Sequence, residues 1–250
     1  MNQPLDIFAT RELTDEQIEY AEKLGLNVVI EPAIEIEFRE DWFAIEMTFK
    51  STKKPVIALT SQNAVKAIEF FQSTGGKIPK DATFYAVGKK TAETIEKLGF
   101  KAIVPEQQNG VGLAEKIAED FSKMKDSEKP TVLHFCGDKR RDEFRQFLSD
   151  SDVHVRDMVV YNTILKNMRL PNHKTDGILF YSPSAVQAFR DSGGFWNKNL
   201  PELFAIGETT AEELSIETGK HVHVSPEPNT KDLLQHVADV LNKEKTEVLS

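Results

Sequence analysis

The 250-residue chain has one cysteine, two tryptophans and no apolar stretch near the roughly 20 residues that a membrane helix requires. A single cysteine, Cys136, excludes an intrachain disulfide and suits a reducing compartment. No membrane span is expected. The opening MNQPLDIFATRELTDEQ lacks the basic flank and apolar core of a signal peptide, so a cytoplasmic protein is expected. Basic residues are also in deficit, 31 Lys and Arg against 40 Asp and Glu, for a net charge of -9. That balance argues against nucleic-acid binding, which needs a concentrated basic face. It leaves room for a small polyanion held by a few cations and helix N-termini.

Several motifs are missing too. There is no phosphate-binding loop of the G-x-x-x-x-G-K-[ST] type, and GVGLAE at Gly110 to Glu115 begins like a dinucleotide loop but lacks the third glycine. His221 and His223 share a strand face with no Cys or further His in ligand spacing, so no metal site is expected. Cys136 closes the apolar run VLHFC and reads as a small buried residue, not a nucleophile.

What the chain does contain is a doubling. LTSQNAVKAIEFF followed by FYAVGKKTAETI returns as FYSPSAVQAF followed by LFAIGETTAEEL. Ala64 falls on Ala185 and Gly88 on Gly207, at offsets of 121 and 119 residues. A second match aligns the opening strand, loop, helix and strand with LHFCGDKRRDEFRQFLSDSDVHVRDMVVYNTI, setting Phe8 on Phe135 and Ile34 on Tyr161. The repeat is far longer than the roughly 20–50 residues of a solenoid unit, so it is a domain. Two facing copies would make a cleft.

Short apolar runs alternate with segments of helical spacing. The runs lie at 5–9, 27–30, 55–59, 83–87, 101–104, 131–135, 153–161, 177–180, 203–206 and 221–224. Several are continuously apolar, as strands covered on both faces are. Strand and helix in turn predict doubly wound parallel sheets, in which ligands bind outside the carboxyl ends of the strands. Two extended segments, Pro32 to Phe38 and Val159 to Leu165, alternate apolar and polar residues and could pair. The polar tail from Asn242 to Ser250 carries no packing pattern and is expected to fray.

The ordered set of TRE after the first strand, TSQNAV, AVGKKTAETIEKLGF followed by VPE, the G-x-x-x-R of Gly137 to Arg141, VVYNT, FYSPSAVQAF and AIGETTAEEL resembles the uroporphyrinogen-III synthase family from about Thr10 to about Leu234. No one of these motifs is diagnostic; the resemblance lies in the ordered set. The resemblance implies an enzyme, a carbon–oxygen lyase of haem biosynthesis. Such an enzyme closes the linear tetrapyrrole hydroxymethylbilane to uroporphyrinogen III, with loss of water and inversion of ring D. It implies no metal and no organic cofactor, a polycarboxylate tetrapyrrole as the small-molecule partner, no nucleic-acid or membrane partner, and a monomer.

It also implies two similar α/β domains of doubly wound parallel sheet, flavodoxin- or Rossmann-like, joined by a two-stranded connector. The first would combine residues 1–35 and 167–250, the second 40–160, with connector strands at 36–39 and 161–166. The repeat by itself places a boundary near residue 125, between the copies. A two-domain clamp that binds an anionic metabolite without turning it over would share the same loops, since fold does not fix function.

A substrate with many carboxylates needs many anion holders, and loops that open helices supply backbone N–H groups and hydroxyls. The candidates for substrate binding are Thr10, Arg11, Thr60, Ser61, Asn63, Gly88, Thr91, Arg141, Ser182, Ser184, Gly207, Thr209 and Thr210. Lys89, Lys90 and Arg140 would add local positive charge. Helix capping competes with ligand binding for each Ser, Thr and Asn, because those residues favour N-cap positions for structural reasons alone. Tyr161 in VVYNT matches a family tyrosine, and the resemblance assigns it the catalytic role of helping hydroxide leave as water. A phenol is protonated at neutral pH and can donate to the departing oxygen. An amphipathic strand tyrosine that merely packs its ring is the competing reading.

Overall fold

The computed structural model describes residues 4–125, 129–140, 142–172, 174–196 and 199–248, with side chains to residue 243 in the last helix. In chain order, β1 (Leu5–Ala9), α1 (Asp15–Lys23) and β2 (Leu26–Ile30) precede β3 (Ile34–Phe38), α2 (Phe43–Ser51), β4 (Val56–Leu59) and α3 (Gln62–Ser73). Next come β5 (Thr83–Ala86), α4 (Lys89–Lys97), β6 (Ala102–Ile103), α5 (Gly110–Ser122), β7 (Val132–Gly137), α6 (Glu143–Asp150) and β8 (Val155–Leu165). Then β9 (Gly177–Phe180), α7 (Pro183–Asp191), β10 (Glu202–Ala205), α8 (Glu208–Thr218), β11 (His223–Val224) and α9 (Thr230–Val248) complete it.

The chain divides into two compact units, Met1–Glu35 with Ile164–Ser250, and Ile36–Thr163. Unit one carries the sheet β11-β10-β9-β1-β2, parallel throughout. Unit two carries β3-β8-β7-β4-β5-β6, parallel from β8 to β6. By the repeat, β7 and β8 correspond to β1 and β2, while β9, β10 and β11 correspond to β4, β5 and β6. Each sheet therefore joins the first two strands of one copy to the last three of the other. Both sheets then have the flavodoxin-like order 2-1-3-4-5. Two parallel sheets are what strand and helix in alternation predict.

Burial explains why these segments are strands. β4, Val-Ile-Ala-Leu, is buried at every position. Ile57 and Leu59 pack on one face with Ile68, Phe71 and Phe84. Val56 and Ala58 pack on the other with Leu113, Ile117 and Phe121. Unit one has the same three layers, with Phe8, Ile178 and Phe180 on one face and Ile7, Leu179 and Leu233 on the other. Each fully buried Phe or Leu contributes about 1.5–3 kcal/mol relative to exposure.

The edge strand β3 lies beside β8. Arg39 N–H donates to the Val160 carbonyl at 3.0 Å and Lys166 N–H to the Ala33 carbonyl at 2.9 Å, so the residue numbers run in opposite senses. The expected strand at 153–161 and the extended exit at 159–165 are one continuous element, β8, 11 residues long. Two features differ from expectation. Helix α2 lacks a side-chain cap at its N-terminus, so it carries no start signal, yet Ile45 and Phe49 anchor it on the core. The tail, expected to lack structure, is helical: α9 continues through Asn242 to Val248, and Leu249 and Ser250 lie outside the described residues. Good helix formers such as Lys and Glu extend it.

Phe84 is fully buried, with its ring centre 5.0 Å from that of Phe100. Phe84→Ala is expected to cost about 3–5 kcal/mol by denaturant unfolding. A loss under about 1 kcal/mol would show that this layer is not the close-packed core described.

Candidate active site

The carboxyl ends of parallel strands share one edge of a sheet, and the candidate loops leave from those ends. In unit two these are the loops after β4, β5 and β7. In unit one they are the loops after β1, β9 and β10.

Tyr161 lies in the middle of the long strand β8, opposite Gly137 at the carboxyl end of β7, where the register shifts by a bulge. Asp138 pins that turn: its N–H donates to the Tyr161 carbonyl at 3.1 Å, and its Oδ1 accepts from Thr163 N–H at 2.8 Å. The phenol ring lies directly over Gly137, and a Cβ placed there would come within 2.5 Å of the ring. Glycine at 137 is therefore what lets the ring lie flat at this edge. Tyr161 is 7% exposed, and burial raises its pKa while the neighbouring Ser61 hydroxyl opposes the rise. The group stays protonated at neutral pH, a hydrogen-bond donor.

Tyr161 lines a cleft of about 250 Å³ within unit two, together with Thr60, Ser61, Gly137, Arg140 and Phe144. Behind it runs a polar chain. The Thr60 hydroxyl is 2.9 Å from His134 Nε2, and His134 Nδ1 is 2.9 Å from Asp157 Oδ1. Arg140 and Arg145 donate to Asp157 Oδ2 at 2.9 and 3.2 Å. Burial lowers the His134 pKa, with Asp157 pulling the other way. Burial works against ionised Asp157, yet His134 and Arg140 hold its pKa below the ordinary value. Burial pushes the Cys136 thiol up to about 12, so it is no thiolate nucleophile. The donor atoms of His134, Cys136 and Asp157 lie within 4.8 Å of one another. With both ring nitrogens engaged and the carboxylate matched by two guanidinium groups, the cluster is a hydrogen-bonded chain rather than an open set of metal ligands.

The helix N-termini fall into two kinds. Ser61 accepts from Asn63 N–H at 3.1 Å, Ser182 from Ala185 N–H at 3.2 Å, and Asn109 from Gly112 N–H at 2.8 Å. These are self-capped helices, and for Ser61 and Ser182 the capping role is the one on display. Gly88 and Gly207, at the N-caps of α4 and α8, have no side chain to offer and leave the helix dipole unanswered from within. At α4 the Gln108 side chain fills in, its Oε1 accepting from Lys89 N–H at 3.0 Å. Around Gly207 a Cβ would meet nothing within 4 Å.

Other candidates are turned inward. Thr10 is 1% exposed and its hydroxyl donates to the Leu179 carbonyl at 2.8 Å, tying β1 to β9. Thr91 and Thr210 are buried under their own helix starts. Ser184 and Thr209 are half-buried on the first turns of α7 and α8. Exposed Arg11 places its guanidinium 4.7 Å from the centre of the Tyr181 ring, bringing the β1 and β9 loops together in unit one. Lys89 and Lys90 are exposed at the start of α4. Arg141 lies outside the described residues.

Sequence reasoning missed His134, Asp157 and Gln108. His134 was hidden in an apolar strand run, and its one signal was an imidazole where the other copy carries Ile7.

A duplicated α/β protein with hydroxyl- and amide-lined loops at the carboxyl edges of two parallel sheets is equipped to hold an organic polyanion. The profile of the family described as Uroporphyrinogen-III synthase HemD matches residues 15–235. The chain belongs to that family, lyases that close hydroxymethylbilane to uroporphyrinogen III in haem biosynthesis. Two solved structures are similar in fold. A mutant uroporphyrinogen III synthase from the extremely thermophilic bacterium Thermus thermophilus has 16% identity and a TM-score of 0.63, over 96% of this chain and 99% of that one. Uroporphyrinogen-III synthetase from Helicobacter pylori has 18% identity and a TM-score of 0.64, over 95% and 99%. No curated protein sequence matches. Among the described residues, no helix is long and apolar enough to cross a membrane.

The shifted groups predict how stability depends on pH. His134 binds its proton less tightly folded than at its ordinary value of 6.5, so stability is full above about pH 6.5 and falls as pH drops through the lower folded value. Asp157, depressed below 3.8, gives a second loss below that pH. Unfolding free energy measured between pH 7 and 3 should show both, and His134→Leu should flatten the first. An unchanged slope in that variant would contradict the assignment.

Proposed function

We propose that Tyr161, at the carboxyl edge of unit two, donates to the departing hydroxyl of hydroxymethylbilane, while loop amides and hydroxyls hold the carboxylates. The observation that carries this is the protonated phenol, fixed over Gly137 and opening on the same cleft as Thr60 and Ser61. The raised pKa makes Tyr161 a poor proton donor by thermodynamics, so its part is a strong hydrogen bond to the leaving oxygen and not full ionisation. Most of the barrier is met elsewhere. The pyrrole nitrogen lone pair expels the hydroxyl, and holding the chain folded so that ring D closes through a spiro carbon is a matter of positioning, worth several kcal/mol.

The carboxylate holders we favour are the glycine-started helices at Gly88 and Gly207, with Asn63, Ser184 and Thr209 beside them and Arg11, Lys89 and Arg140 as local cations. N–H groups at an uncapped helix start suit a carboxylate without adding formal charge. Ser61 and Ser182 keep their caps and contribute through backbone shape. The protein is proposed to act as a cytoplasmic monomer on this one small molecule, without nucleic acid and without a cofactor. The net charge of -9 and the single buried cysteine support that setting.

The test is turnover. Pure protein with freshly made hydroxymethylbilane should yield isomer III on chromatography of the oxidised products, whereas spontaneous closure yields isomer I. A product mixture no richer in isomer III than the protein-free control contradicts the function. Tyr161→Phe is expected to lower the rate severalfold to about a hundredfold with substrate affinity retained. A wild-type rate in that variant removes Tyr161 from the chemistry.

A further inference from the structure

A buried polar chain costs stability unless every donor meets an acceptor, so one kept where a twin element lacks it points to a use. By the repeat, His134 of β7 stands where β1 has Ile7. Its register partner Asp157 stands where Ile7 meets Val28. Thr60 stands where the other copy has Tyr181. The line from hydroxyl to imidazole to carboxylate belongs to unit two alone.

Its hydrogens have one consistent arrangement. Ionised Asp157, matched by Arg140 and Arg145, can only accept, so His134 Nδ1 carries a hydrogen. With the ring neutral, Nε2 is a bare acceptor. Thr60 must then donate its single hydrogen to Nε2, across 2.9 Å. What Thr60 has left for the cleft is lone pairs. This reverses the donor role that an anion holder needs.

We propose that His134 is a positioning residue that commits the Thr60 hydroxyl to accept, so that Thr60 takes a pyrrole N–H of the tetrapyrrole and turns carboxylates away. The assignment rests on the cyclase reading above. It places an acceptor for N–H and a donor for oxygen, Thr60 and Tyr161, in one cleft. The ring that reacts carries both groups, and a hydrogen bond accepted from its N–H raises electron density on the nitrogen that expels the hydroxyl.

Protonating His134 inverts this polarity. Nε2–H would donate to Thr60 and free the threonine hydrogen for the cleft. The charged groups acting on the imidazole are Asp157 from β8 and Arg140 after β7, with Arg145 from α6 on Asp157, while Tyr161, Cys136, Lys139 and Glu143 line the cleft that holds Thr60. Burial outweighs Asp157 among them, so the inversion falls below the ordinary imidazole range.

Two measurements decide. In protein labelled with ¹⁵N-histidine, NMR should show His134 with hydrogen on Nδ1 and a bare Nε2; hydrogen on Nε2 at neutral pH overturns the proposal, and no variant need fold for this reading. With hydroxymethylbilane, Thr60→Val should lower kcat/KM about tenfold, the scale of one hydrogen bond, and Thr60→Ser should restore most of it. His134→Phe should do the same, remove the acid limb of the kcat/KM profile, and add nothing to Thr60→Val in the double variant. Wild-type kinetics for Thr60→Val, or losses that simply add, overturn it. Should the wild type give no excess of isomer III, the cyclase reading fails, and the NMR result still decides the proton arrangement on its own.

Discussion

Parallel pairing is the constraint on which the site depends. In a sheet whose strands all point one way, every strand delivers its following loop and helix start to the same edge. Unit one delivers Arg11, Ser182 and Gly207 to such an edge, and unit two delivers Thr60, Gly88 and Gly137. Helix starts carry partial positive charge without counting toward net charge. That is how an acidic chain can belong to a family whose substrate is a polycarboxylate.

The same physics separates structural hydroxyls from usable ones. A serine that caps its own helix has filled the place an anion would take, and Ser61 and Ser182 have done so. A glycine at the N-cap leaves that place open. Gly88 and Gly207 are matched positions of the repeat, and of the two the start at Gly207 is the open one. At α4 the neutral amide oxygen of Gln108 sits where a carboxylate oxygen could, so a ligand there would replace a hydrogen bond instead of creating one.

The fold was largely legible because it rests on short-range signals. Continuous apolar runs such as VIAL and GILF are what two-face burial requires, and TSQNAV and SPSAV announce helix starts. Helix α2 was not legible, since Trp42 gives no cap and Phe43 to Ser51 declare themselves only by packing. The tail's polarity suggests disorder, yet the same Lys and Glu residues lengthen a helix that is already anchored upstream. Of the candidate site, Tyr161 and the glycine-started helices could be placed from motif order. Thr10, Thr91 and Thr210 were drawn to the rim by residue type, and their burial depends on neighbours that no local window contains. His134 and Asp157, 23 positions apart, become partners only through β7 and β8 pairing.

The two copies have therefore kept the scaffold and differ in what they bury. One carries an aliphatic pair at Ile7 and Val28, the other His134 and Asp157, whose hydrogen bonds extend to Thr60 beside Tyr161. A crystal structure with the product bound tests the account most directly. It should show product carboxylate oxygens within hydrogen-bonding distance of backbone N–H groups at a helix start on the carboxyl edge of a sheet, such as that of α8. Carboxylates gathered instead on lysine and arginine side chains away from those edges would contradict it.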